Sequence, residues 1–152
     1  MTPNFFFATY GPAAQAVCHG TPLLASVCLA QAALESNWGE SGLTKRAFNF
    51  FGFKGGSSWA GAVLSLPTKE QLPGGKVITV QAHFRRYASP GESFRDRNRL
   101  FLTLARYQPV LAAKDWASQA HQIRACGYAT DLKYAEKLVS IIIAHHLTRF
   151  DA

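Results

Sequence analysis

Leu23 to Trp38 reads LLASVCLAQAALESNW. The run is helical in length and rich in Ala and Leu, the strongest helix formers; Thr21-Pro22 supplies a start signal and Gly39 a stop. Its one charged residue, Glu35, falls in the last turn, flanked at helical spacing by Cys28, Gln31, Ala32 and Trp38. The helix dipole disfavours an anion there. Partial burial and that dipole together predict a raised pKa, which keeps a carboxyl protonated near neutral pH as a general acid requires. The plainer alternative is a buried Glu paired with an Arg or a backbone donor.

On the N-terminal side of this run, Thr2-Pro3 caps and starts a first helix, which Gly11-Pro12 is expected to kink or interrupt, leaving Ala13–Cys18 as a second short piece. On the C-terminal side, four glycines lie among Phe48, Phe50, Phe51, Phe53 and Trp59, which predicts an irregular but anchored loop over 41–61. A hairpin follows. In KVITVQAHFRRY, Ile78, Val80, Ala82 and Phe84 alternate with Thr79, Gln81, His83 and Arg85, and Pro73-Gly74-Gly75 turns back to a strand over Val63–Leu72. Ser89-Pro90-Gly91-Glu92 is a capping box for a helix running to about Leu104. Asp115 caps WASQAHQIRAC, ended by Gly127, and Thr130 or Asp131 caps LKYAEKLVSIIIAHHL. With no repeat, linker or low-complexity tract, the expectation is one domain over 1–152, α+β but mainly α: helices plus one hairpin.

A chain of 152 residues with 48% hydrophobic and 16% charged residues buries roughly 70% of its unfolded surface and needs neither metal nor disulfide to hold it. The formal charge of +7 and a pI near 9.6 favour a polyanionic partner, whether nucleic acid, anionic membrane or bacterial wall polymer. The densest basic groups are Arg85-Arg86 and Arg95, Arg97, Arg99, and no helix-turn-helix, zinc-finger or RNP pattern accompanies them. Cys18, Cys28 and Cys126 form no CxxC pair, and with His19, His83, His121, His145 and His146 they make no metal-ligand spacing. The odd count argues against a disulfide framework and leaves one optional bridge open. Phe5-Phe6-Phe7 lacks the basic flank of a signal peptide, and no apolar run approaches the roughly 20 residues of a membrane span.

Breaking a glycosidic bond needs a proton donor at the leaving oxygen and commonly a second carboxylate, so the nine acidic residues can be screened in turn. Glu92, Asp115 and Asp131 have capping roles, Asp96 and Glu136 sit among Arg or Lys at helical spacing, and Asp151 lies at the chain end. Glu40 follows the helix stop and stays in reserve. Glu35 stands out as above. Glu70, in Pro67-Thr68-Lys69-Glu70, is either a solvated strand residue beside Lys69 or a carboxylate able to swing over a cleft. Phe50, Phe51 and Trp59 either offer apolar faces to sugar rings or belong to the core. Asn49 either bonds an acetamido group or closes its own turn.

Four separated blocks carry a resemblance. Ala30-Gln31-Ala32-Ala33-Leu34-Glu35-Ser36-Asn37-Trp38-Gly39 is similar to the catalytic helix of the glucosaminidase family of bacterial autolysins and flagellar rod-associated wall hydrolases, glycoside hydrolase family seventy-three. Phe48-Asn49-Phe50-Phe51-Gly52-Phe53-Lys54-Gly55 resembles the family's Asn-Leu-Phe-Gly-Ile-Lys loop. Thr68-Lys69-Glu70 through Phe84-Arg85-Arg86-Tyr87-Ala88-Ser89 resembles its hairpin, and Gly127-Tyr128-Ala129-Thr130-Asp131-Leu132-Lys133-Tyr134-Ala135 its Tyr-Ala-Thr-Asp-Pro block. Phe48 stands where the family often has Asn, and Leu132 where it usually has Pro. The resemblance implies a lysozyme-like fold whose hairpin flanks the active-site cleft. It also implies Glu35 as proton donor, Glu70 as the hairpin carboxylate, and Tyr128 or Tyr134 lining the glycan groove; Asn49, Phe51 and Gln31 are the further residues expected to bind substrate.

The function expected is peptidoglycan hydrolysis after N-acetylglucosamine, by an endo-β-N-acetylglucosaminidase acting as a monomer without cofactor or metal. After protonation, either Glu70 activates water or the substrate's 2-acetamido group attacks. The alternatives are an N-acetylmuramidase or lytic transglycosylase of the same fold, and, in another class, a non-catalytic wall-binding or assembly module. A cysteine hydrolase using Cys126 and His121 is a distant third, since their spacing on one helix suits packing. The partner expected is the glycan strand, with no nucleic acid and no stable membrane insertion. Lack of a signal peptide suggests synthesis in the cytoplasm and action on the wall after release or delivery, as for a phage endolysin or a delivered lysis protein.

Overall fold

The computed structural model describes residues 1–152. In chain order it contains α1 (Pro3–Cys18), α2 (Ala25–Glu35), α3 (Gly42–Ala47), β1 (Val63–Gln71), β2 (Val77–Arg85), α4 (Pro90–Thr103), α5 (Gln108–Ala112), α6 (Trp116–Ala125) and α7 (Tyr134–Ala144), with 3₁₀ turns at Ala105–Tyr107 and Leu147–Phe150. The architecture is the expected one, a helical body carrying one antiparallel hairpin.

α2 is the axis of this body. Every residue from Ala25 to Ala33 is buried, as a helix without a polar face must be. Its Ala, Ser and Cys side chains let α1, α6, α7 and the last 3₁₀ turn pack against it. It begins at Ala25, two residues later than the sequence suggests, because Thr21 is spent on the preceding turn: its Oγ1 accepts from the Leu23 amide and donates to the Cys18 carbonyl. The free amides of the helix start are met from far along the chain. Gln119 Oε1 accepts from Leu24 N at 2.9 Å, and Asp151 Oδ1 from Ser26 N at 2.8 Å. Asp151 therefore places a carboxylate on the positive end of α2, a tertiary cap that local sequence cannot reveal.

Three further expectations change. α1 runs unbroken through Gly11-Pro12. Pro12 removes one amide donor, but Phe6, Phe7, Ala14 and Cys18 lie buried on either side of it, and their packing outweighs that loss. Gly11 is needed for contact, since a Cβ there would meet the Phe150 ring at 2.3 Å. Neither Thr130 nor Asp131 caps α7, which starts at Tyr134; Asp131 instead accepts from the Lys133 amide in a turn and pairs with Lys137 at 2.6 Å. Arg97, counted with Arg95 and Arg99 as a basic group suited to a polyanionic partner, is completely buried. It shares the inward face of α4 with Phe94 and Phe101, at helical spacing.

The hairpin pairs β1 and β2 in continuous register from Val63 opposite Arg85 to Gln71 opposite Val77. β1 is an edge strand, which is why it tolerates Pro67. The root is fixed: Asp96 of α4 accepts from Tyr87 Oη, from Arg85 Nη1 at 2.8 Å and from Arg99 Nη1 at 3.1 Å. The outer end, residues 69–77, is exposed throughout.

Candidate active site

The last turn of α2 delivers Glu35, and the chain after it is wound tightly enough to hold it there. Asn37, Trp38 and Gly39 are successively left-handed, with φ of 50°, 57° and 79°. A bulky residue in that conformation is strained unless its surroundings hold it. The Trp38 ring packs edge-on against Phe6, Phe7 and His145, with centroids 5.4–6.0 Å apart, and its amide donates to Ala33 O at 2.8 Å. Trp38 thus clamps the end of the helix that carries the acid.

Glu35 opens onto a cavity of about 580 Å³ walled by Phe51, Phe53, Tyr107, Tyr128 and Tyr134, with Arg106 and Asp131 at its margin. Its side chain is open to that cavity, yet the protein around it displaces enough water to push its pKa above the usual carboxylate value; the nearby Tyr134 hydroxyl pulls in the opposite direction. Asp131, the other acid in this cavity, is held below the usual range by Lys137 and the Lys133 amide. Of the two acids in this cavity, Glu35 is therefore the one whose surroundings favour the protonated form. A second cavity of about 430 Å³, lined by Lys54, Trp59, Arg85 and Arg99 among others, adjoins the first at Phe53 and Leu100. The two together form a groove between the hairpin root and the helical body.

Tyr128 and Tyr134 both reach the cavity, their rings 5.9 Å apart. Gly127, left-handed at φ 94°, ends α6 and turns the chain so that Tyr128 faces the cleft. Tyr134 is 4% exposed and stands behind it. Phe51 lines the cavity while Phe50 belongs to the core, packed against Phe6, Tyr10 and Phe94. Trp59 lies in the adjoining cavity with the Arg85 guanidinium 4.9 Å above its ring.

Two of the residues expected to touch substrate are not on the surface of the groove. Gln31 is fully buried, its amide taken up by Tyr134 Oη and Arg97. Asn49 is buried as well: Nδ2 donates to Phe53 O and Arg85 O, and Oδ1 accepts from Gly52 N and Phe53 N. These are the bonds of the turn-closing reading. They lock the loop that presents Phe51 and Phe53. Glu70 stays on the exposed part of β1, 3.7 Å from Lys54 Nζ, and is not among the residues lining the Glu35 cavity. Phe53, Tyr107 and Arg106 join that lining without having been singled out from sequence; Phe53 and Arg106 sit in stretches without periodic pattern. No three His, Cys, Asp or Glu side chains converge as a metal-binding set, and the three cysteines are free thiols.

The family model described as mannosyl-glycoprotein endo-beta-N-acetylglucosaminidase matches residues 11–147. The exo-glucosaminidase LytG of Bacillus subtilis is 37% identical over 85% of the chain, and a probable N-acetylmuramidase of Lactococcus lactis 35% identical over 96%. The chain spans 46% and 34% of the length of those two relatives. The catalytic domain of the autolysin Auto from Listeria monocytogenes superposes with a TM-score of 0.88 at 30% identity, covering 98% of this chain and 87% of that one. With the family model matched over most of its length, the chain belongs to the glucosaminidase family.

Proposed function

We propose that the chain hydrolyses the glycan strand of peptidoglycan after N-acetylglucosamine, with Glu35 as general acid. One observation carries this reading: a carboxyl with raised pKa at the end of a clamped helix, opening onto an aromatic-walled groove. Aromatic faces suit the apolar faces of sugar rings, and a neutral carboxyl at the floor can protonate the leaving oxygen. Tyr128 and Phe51 are assigned to the sugar, and Asn49 to the loop that holds Phe51. The carboxylate left after proton transfer is met by the Tyr134 hydroxyl.

The nucleophile of the first step is assigned to the substrate's own 2-acetamido group, whose carbonyl oxygen bonds C1 as the leaving oxygen, protonated by Glu35, departs; water, giving its proton to the Glu35 carboxylate, then opens the oxazoline. Glu70 lies on the exposed part of β1 near Lys54 and does not line the Glu35 cavity, which disfavours it as the base for water in the first step. The product is then expected to keep the anomeric configuration of the substrate, read by proton NMR of a freshly cleaved oligomer. Inversion would return the water-activating role to Glu70. The Lactococcus relative described as a probable N-acetylmuramidase keeps cleavage of the other glycan bond as the competing reading. No helix is long and apolar enough to cross a membrane, and the net positive charge suits an anionic wall polymer as partner.

The direct test is Glu35→Gln assayed on purified walls. A folded variant is expected to lose roughly 10² to 10⁴ of the wild-type rate, the usual cost of removing a positioned general acid. Wild-type turbidity clearance by that variant would remove Glu35 from the chemistry.

A further inference from the structure

Behind the cavity wall a chain of polar groups ends at Tyr134, and the reaction as described makes no use of its other members. Arg97 Nε donates to Gln31 Oε1 at 2.7 Å, and Gln31 Nε2 to Tyr134 Oη at 3.0 Å. Arg97 and Gln31 are fully buried and Tyr134 almost so. Three helices contribute: α4 brings Arg97, α7 brings Tyr134, and α2 brings Gln31 one turn before Glu35. A buried guanidinium is costly unless paired, and Arg97 has no carboxylate partner. Its Nη1 donates to Asn98 Oδ1 at 2.6 Å, its plane lies 4.8 Å from the Phe101 ring centroid, and Nη2 has no hydrogen-bond partner. An apolar side chain at this position would fill the core without that cost.

We infer that Arg97 and Gln31 are positioning residues that keep the Tyr134 hydroxyl hydrogen free to be donated to Glu35, which lines the same cavity. The argument is one of polarity. Arginine has donors only, so the Gln31 amide must turn its oxygen to Arg97 and its nitrogen to Tyr134. The Tyr134 oxygen is then an acceptor on that side, and its hydrogen is left for the cavity where Glu35 stands. A hydroxyl donor favours the charged carboxylate, and strengthens as charge develops during proton transfer. The cation at the head of the chain polarises each bond in the same sense. Of the other groups around Glu35, Tyr128 adjoins it, Arg106, Tyr107 and Asp131 lie in the same cavity, and Cys28 is buried behind. None of these bonds to the Tyr134 hydroxyl, which accepts from Gln31.

This inference rests on Glu35 being the general acid, and its test separates the two. Gln31→Glu keeps the side-chain size and gives Arg97 a carboxylate, so folding is retained, but it exchanges the amide donor for an acceptor and draws the Tyr134 hydrogen away from Glu35. Gln31→Met removes the donor without adding charge. In both variants the basic limb of the kcat/KM profile on purified walls, where the acid must be protonated, is expected to move up. A shift of about one pH unit corresponds to losing a hydrogen bond to a charged group. kcat is expected to fall about tenfold with KM little changed, the pattern of an interaction made in the transition state. Folded variants that lose rate with an unmoved limb would reduce Arg97 and Gln31 to core packing and overturn the inference. Failure of both variants to fold would do the same, because the pair would then be serving stability. Full activity of Glu35→Gln would instead sink the general-acid reading itself, whereas an inactive Glu35→Gln beside an unmoved limb sinks only the positioning role.

Discussion

Glu35 shows how one residue can be costly to the fold and necessary to the site. Burial lifts its pKa above the ordinary carboxylate value, so the folded state prefers it neutral. Between the unfolded and the raised folded pKa the native state binds more protons than the unfolded chain, and stability falls as pH rises through that window. Glu35→Gln is therefore expected to melt at a higher temperature than wild type at pH 7, with the difference vanishing below about pH 4, where both states carry a protonated carboxyl. Equal melting temperatures at pH 7 would mean that the site does not strain its acid. The sequence made Glu35 legible because it is the only charge on an otherwise apolar helix. The roles of Gln31 and Asn49 were less legible, because an amide is equally suited to a sugar and to a backbone carbonyl. Only the fold supplies Arg97, Phe53 and Arg85 as their partners.

At the scale of elements, the loop over 48–55 and the hairpin divide the work of shaping the groove. Asn49→Ala removes four hydrogen bonds that close the loop and is expected to cost about 3 kcal/mol in denaturant unfolding, the range for a buried polar side chain whose backbone partners are left unpaired. A loss below about 0.5 kcal/mol, the level of an ordinary surface substitution, with a large rise in KM would instead restore Asn49 as a sugar ligand. On the hairpin, Glu70→Gln is expected to slow wall cleavage by about tenfold at most, well short of the loss from removing a general acid. An equal loss would show that the exposed end of the hairpin closes onto the reaction. The strands were readable from their period-two alternation, which the buried and exposed faces of β2 reproduce. Their anchoring through Asp96 was not, since Arg85 and Tyr87 meet α4 only in three dimensions. The same holds for α1, where a local helix breaker yields to packing, and for α2, capped by Asp151 from the other end of the chain.

Across the whole molecule, the excess of positive charge is expected to attract the wall without reading the scissile bond. Arg95 and Arg99 are the exposed members of the α4 cluster, and Arg97 belongs to the core. Replacing Arg95 and Arg99 by Gln should lower binding to whole walls and flatten its salt dependence, because exposed charges are screened within about 8 Å at physiological ionic strength. Turnover of a short soluble glycan should stay within about threefold, since an exposed charge contributes at most about 1 kcal/mol. Equal loss on both substrates would put these arginines on the sugar beside the cavity that Arg99 lines. The net charge is legible in the sequence, but the helical spacing that puts Arg97 on one face with Phe94 and Phe101 does not tell that this face buries a cation. The central claim is a glycan cut that depends on Glu35, and mass spectrometry of reduced peptidoglycan digests tests it most directly. Wild type should generate new reducing ends of N-acetylglucosamine, and a folded Glu35→Gln variant should generate almost none. New ends of N-acetylmuramic acid or its anhydro form, or the same products from the Glu35→Gln variant, would contradict it.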